Sequence, residues 1–142
     1  MNVVLDTNVI ISALLNPKGT PGKILNAGID ETIHLVSSAR LFHEFERTLA
    51  YPHIQKHIKE SWAEHELRSF LLSLRHVIKF VFHGPPQTDW IPQDPDDNWV
   101  VACAMAGKAE YLVSGDQHLL ALGAVDAIHI VTPAEFLKII IG

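Results

Sequence analysis

Apolar residues come in two rhythms along this chain, and their alternation predicts its elements. The run "NVVLD" (2–6) is apolar at the consecutive positions Val3, Val4 and Leu5, as a strand buried on both faces would be, and "NVIISALL" (8–15) then reads as a helix that stops before Asn16-Pro17. "TPGKILNAGI" (20–29) opens with a capping threonine and a proline at the first helical position, and "IHLVS" (33–37) is a second strand. Leu41, Phe45 and Leu49 fall four apart, which makes 38–50 a helix. Residues 51–75 are polar and helix-rich, with Trp62, Leu67, Phe70, Leu71 and Leu74 as the apolar stripe of their second half. A strand at 76–82 precedes a loop at 83–92 that holds three prolines. The pattern then gives a helix at 94–107, a strand at 110–115, a short helix at 116–121, a strand at 127–131 and a closing helix at 132–141.

Strands separated by helices predict an α/β fold, a parallel sheet with helices on both faces. Ligands of such sheets bind outside the carboxyl ends of the strands. Asp6 stands at the end of the first strand and Asp116 just past "YLVSG", so the two face one crevice if their strands are neighbours. With 142 residues, 48% hydrophobic and 19% charged, and no repeat or low-complexity tract, residues 1–142 are expected to form a single domain. No apolar stretch approaches the ~20 residues of a membrane-spanning helix, and no cationic lead-in announces a secretory signal. One cysteine, Cys103, excludes an internal disulfide and suits a reducing, cytoplasmic setting.

The net charge of -5 hides an asymmetry. Seven of the eleven Lys and Arg lie within 40–79, whereas 80–142 is strongly acidic. Each acid of interest has a bland explanation. Asp6 could favour a helix dipole, with Asn8 or Thr7 as the cap, but a carboxylate ending a buried strand loses hydration unless it is paired. In "SGDQHLL" Gly115 permits a tight turn and Asp116 could cap. In "DPDDNWVVACA" Asp94 reads as the cap and Asp97 as the third helical residue, yet three acids in four positions exceed what capping needs. Glu44 and Glu46 flank the apolar face of their helix, and periodicity does not choose between them. "GTPGK" lacks the spacing of a phosphate loop, and His53 with His57 reads as a surface pair with no third ligand.

Taken together, "VVLDTNVIISALL", Glu44 in "LFHEFERTL", "DPDDNWVVACAMAGKAEYLVSGDQHLL" and "IHIVTPAEFL" resemble the PIN-domain family along almost the whole chain, most of all the bacterial and archaeal members classed as toxin components of toxin–antitoxin pairs. The resemblance implies a three-layer α/β/α, Rossmann-like domain with a central parallel sheet of about five strands. It implies a metal-dependent endoribonuclease that leaves a 5′-phosphate and a 3′-hydroxyl. The family's acidic quartet falls on Asp6, Glu44, Asp97 and Asp116, which selects Glu44 over Glu46, and Asn8 and Ser114 fall where the family supports its site. Many relatives carry a further acid where this chain has His118.

An oxygen-only ligand set suits Mg²⁺ or Mn²⁺, one or two ions, which relieve the repulsion of four clustered carboxylates and activate water. Single-stranded RNA is the expected substrate, tracked by the basic 40–79 segment with His53, His57 and Trp62 for stacking. A homodimer and a cognate antitoxin are the expected partners. Two rivals are an aspartate-nucleophile phosphohydrolase, which needs an acid where Asn8 stands, and a non-catalytic RNA- or protein-binding module.

Overall fold

The computed structural model describes all of residues 1–142. In chain order the elements are β1 (Asn2–Leu5), α1 (Thr7–Leu15), α2 (Thr20–Ile29), β2 (His34–Ser37), α3 (Ala39–Leu49), α4 (Pro52–Ser61), α5 (Glu64–Val77), β3 (Lys79–Phe80), α6 (Asp97–Ala106), β4 (Tyr111–Val113), α7 (Gln117–Leu122), β5 (Ala124–Val125), β6 (Ile128–Val131) and α8 (Pro133–Ile141). They form a three-layer α/β/α sandwich. The sheet has six strands in the order β3-β2-β1-β4-β6-β5. Five are parallel, as the alternation predicts, and the sixth is the two-residue β5, antiparallel to β6, which the apolar pattern did not reveal. Gly123, at φ 69, makes the left-handed turn that sends the chain from α7 into β5.

The sheet is buried on both faces because its strands have apolar side chains at consecutive positions. Val3 and Leu5 of β1 point to one face and pack with α1, α2, α3 and Phe136 of α8. Val4 points to the other, with Val36, Leu112, Ile130 and the apolar side of α6. Each large side chain so buried contributes roughly 1.5–3 kcal/mol. α4 and α5 close the first layer, and there Trp62 packs on Phe70 and donates its indole N–H to the Leu14 carbonyl at 2.8 Å. No helix is long and apolar enough to cross a membrane.

Several predicted boundaries move, each for a local reason. Asp6 is itself the N-cap of α1, accepting from the Thr7 N–H, so neither Thr7 nor Asn8 is the cap. Gly19 occupies the cap position of α2, which makes Thr20 the first helical residue and Pro21 the second. α5 runs on to Val77, with Arg75 and His76 in its last turn where cations suit the helix dipole, and this shortens the predicted strand 76–82 to Lys79–Phe80. α6 begins at Asp97 because residues 94–96 wind as turns whose carbonyls accept three residues ahead. Gly115 has no left-handed φ, and a Cβ there would meet open space, so the turn before Asp116 does not require glycine.

Candidate functional site

The strand order reverses beside β1: the chain proceeds from β1 outward to β2 and β3, then returns to lay β4 on β1's other side. That switch opens a crevice at the carboxyl ends of β1 and β4. Leu5 pairs with Val113, so the residues that follow, Asp6 and Ser114, emerge side by side. The backbone locks both, with the Asp6 N–H donating to the Val113 carbonyl and the Ser114 N–H to that of Val131, each at 3.0 Å.

Asp6 is 9% exposed and its two oxygens are held apart. Oδ1 accepts from the Thr7 N–H at 2.9 Å, and Oδ2 from the fully buried Ser114 hydroxyl at 2.8 Å. The Ser114 oxygen in turn accepts the Asp116 N–H at 2.9 Å. Asp116 caps α7, with Oδ1 accepting from the N–H groups of His118 at 2.8 Å and Leu119 at 3.0 Å. Its Oδ2 makes no hydrogen bond within the protein. One serine thus ties together the two acids that end neighbouring strands.

Asp97 enters from the opposite wall, at the first residue of α6. Its Oδ2 is buried and has no hydrogen-bond partner, a costly arrangement that native proteins avoid unless something else meets the atom. Burial pushes its carboxyl up to about 7, helped by the charges of Asp116, Asp94, Asp6 and Glu44. Burial also raises Asp6, against the hydrogen bonds from Ser114 and Thr7, with Asp116 and Asp94 adding to the rise. Glu44, on an exposed turn of α3, is raised by desolvation and by Asp6 and Asp96, while Arg47 and Arg40 pull it down. Asp97 therefore lies in the field of the other three acids singled out from the sequence, and Asp94, read there only as a cap, adds to it.

This donor set fits a hard divalent cation: carboxylate oxygens in excess of the available counter-charge, one of them buried and unsatisfied. Asp97, Asp116 and His118 each offer a ligand atom, all within 4.8 Å of one another. These three side chains would hold such an ion between the turn after β4 and the start of α6. His118 is the site residue that the sequence reading passed over as a mere departure. Its signal was its place two residues beyond the capping Asp116, which brings its ring back over the cap: Nδ1 lies 4.0 Å from Asp116 Oδ1.

Other expectations land elsewhere. Asn8 is exposed on α1 and its side chain makes no hydrogen bond to any of the acids, whereas Thr7 N–H and Ser114 do bind Asp6. Trp62 is committed to the Leu14 carbonyl and to Phe70, while on α4 His57 lies 3.8 Å from Glu60 and His53 stacks on Tyr51. Asn98 is a buried residue that sequence reasoning missed. It accepts the Ile91 N–H at 3.0 Å and donates to Asp89 at 2.8 Å, which pins the proline-rich loop against the start of α6.

This fold, with clustered acids at its switch point, defines a Rossmann-like domain equipped to hold a divalent cation. The family model described as PIN domain matches residues 2–118, and the chain belongs to the PIN-domain family. It is also 31% identical over 147 residues to the uncharacterized protein MJ1680 of Methanocaldococcus jannaschii, an alignment that covers 97% of this chain and 90% of that protein. PIN domains are typically metal-dependent nucleases, so hydrolysis of a phosphodiester bond is the kind of activity that the family indicates.

Proposed function

We propose that residues 1–142 act as one PIN domain and a metal-dependent endoribonuclease, with Asp6, Glu44, Asp97 and Asp116 as its reactive centre. The observation that supports this most directly is the buried, unpartnered Oδ2 of Asp97 in a crevice where Asp116, Asp94, Asp6 and Glu44 all oppose its ionisation. One or two ions of Mg²⁺ or Mn²⁺, when bound, supply the positive charge that polarises the phosphate and lowers the pKa of a water.

The protein's own residues do the rest. Thr7 and Ser114 fix the Asp6 carboxylate, Asp116 caps α7 with one oxygen and keeps the other free, and Asp97 contributes an oxygen that nothing else satisfies. Glu44 completes the ring of acids or orients the attacking water, taking up its proton, a role that suits a carboxyl with raised proton affinity. A toxin role, a homodimer, an antitoxin segment covering the acidic crevice and a cytoplasmic setting belong to the same reading by family analogy.

The nuclease reading is tested on end-labelled single-stranded RNA with Mg²⁺ or Mn²⁺. Cleavage should stop on chelation, and Asp6→Asn should slow it by at least about 100-fold, the loss of roughly 3 kcal/mol of transition-state stabilisation. Undiminished cleavage by the purified variant would refute the assignment. The phosphohydrolase alternative fares worse, because the neighbour two positions on from Asp6, where that chemistry needs an acid, is the exposed amide Asn8.

A further inference from the structure

A small cavity opens beside Glu44, between one face of α3 and the start of α6. Arg40, His43, Glu44 and Arg47 recur at helical spacing on the α3 side, and Asp96 and Trp99 form the opposite wall. Its volume is about 210 Å³. That is room for about seven waters at ~30 Å³ each, and less than the ~300 Å³ of a pocket for a drug-sized ligand. One flat ring with part of its attachment fits such a space, and an extended ligand does not.

The walls are those that a nucleotide needs. The Arg40 guanidinium lies 4.0 Å from the centre of the Trp99 ring, and the His83 ring packs on Trp99 at 5.8 Å, tilted by 44°. These planar groups sit at the edge of the acidic crevice. Arg40 is held there only by stacking and by an exposed contact with Asp96 at 3.5 Å, which is weak in water and yields readily. Arg47 forms no ion pair at all, although its charge reaches Glu44. Glu44 and Asp96 also line the cavity and repel an anion, so a phosphate belongs at the Arg47 end, where the cation is unspent.

We propose that this cavity is a nucleotide subsite flanking the reactive centre, which takes one unpaired base of a single-stranded RNA against Trp99 and an adjoining backbone phosphate on Arg47. The proposal rests on the nuclease reading and says which residues of this chain hold the substrate beside the reactive centre. A base inside a duplex already has both faces stacked and cannot enter, so the subsite selects single strands. It also moves the expected RNA contact from His53, His57 and Trp62 to the α3–α6 seam.

The test uses the intact protein with a short, mixed-sequence, fluorescein-labelled single-stranded RNA carrying 5-iodouridine, and Ca²⁺ as the divalent ion. Fluorescence anisotropy should give a Kd about 5- to 100-fold weaker for Trp99→Leu, the cost of one lost base stack. Arg47→Gln, at an exposed helix position, should weaken binding and lower the slope of log K against log salt by about 0.7, with Arg47→Lys restoring that slope. Photo-crosslinks should map to Trp99 and vanish when the RNA is annealed to its complement. If the wild type binds this RNA, and cleaves it once Mg²⁺ or Mn²⁺ replaces Ca²⁺, while both variants bind it equally well and crosslinks fall elsewhere, the subsite is wrong and the nuclease reading stands. If the wild type neither binds nor cleaves, both are wrong.

Discussion

The hydroxyl of Ser114 donates to Asp6 Oδ2 at 2.8 Å across 108 positions of sequence, and its oxygen receives the Asp116 N–H at 2.9 Å. Two acids on neighbouring strands are thereby set at a fixed separation by one fully buried side chain. Ser114→Ala removes the donor and leaves Asp6 Oδ2 unmatched and the Asp116 N–H without its acceptor. Stability should fall by about 1–3 kcal/mol in urea denaturation, and divalent-metal affinity by about 10- to 100-fold in titration calorimetry. A variant with unchanged metal affinity would show that Ser114 serves packing alone.

Asp97 gives the metal-free protein a particular pH dependence. Its folded carboxyl is raised from 3.8 to about 7, so between those values the folded state holds a proton that the unfolded chain has released. Stability must therefore fall as pH rises through this window and level off above it, the reverse of a salt-bridged carboxylate. Asp6 and Glu44 are raised too and act in the same sense. In EDTA, Tm should decline from about pH 5 to about pH 8, and Asp97→Asn should flatten most of that decline. Stabilisation by added Mg²⁺ or Mn²⁺ should be larger at the high end, where no proton competes. A Tm that instead climbed through neutrality would mean that Asp97 lies among counter-charges.

His118 offers the cluster with Asp97 and Asp116 a nitrogen where the rest offer oxygen. Imidazole suits Mn²⁺ and later transition ions better than Mg²⁺. His118→Asp should shift the ratio of Mn²⁺ to Mg²⁺ affinities towards Mg²⁺ by about tenfold, the free energy of one modest ligand preference. Electron spin-echo measurements on bound Mn²⁺ should show a ¹⁴N coupling in the wild type that the variant lacks. Absence of that coupling in the wild type would place His118 outside the coordination shell.

Phe136 of α8 is fully buried beneath Tyr111, with ring centroids 5.4 Å apart. It lies beyond the stretch matched by the family model, yet it belongs to the same core as β1 and α1. Phe136→Ala should cost about 3–5 kcal/mol, read from the urea midpoint at unchanged m-value. A loss under about 1 kcal/mol would mean that α8 contributes little to the fold.

Local signals carried the order of the elements, because apolar runs, helical spacing, prolines and caps act over a few residues. Asp6 at the end of an apolar run already pointed to the crevice, and the capping box of Thr132 and Glu135 kept α8 within one residue of its predicted start. What the chain in one dimension could not contain was adjacency. That β1 lies between β2 and β4 depends on pairing across 108 positions, and this sets Asp6 beside Ser114 and brings His118 round to Asp97. Trp62 and Trp99 illustrate the same limit: Trp62 lies in the basic segment yet spends its N–H on Leu14, while Trp99 lies in an acidic stretch yet stands under Arg40 at the edge of the acids. Hydrophobic periodicity says which residues must be buried, and only the closed sheet decides which polar ones are left facing each other.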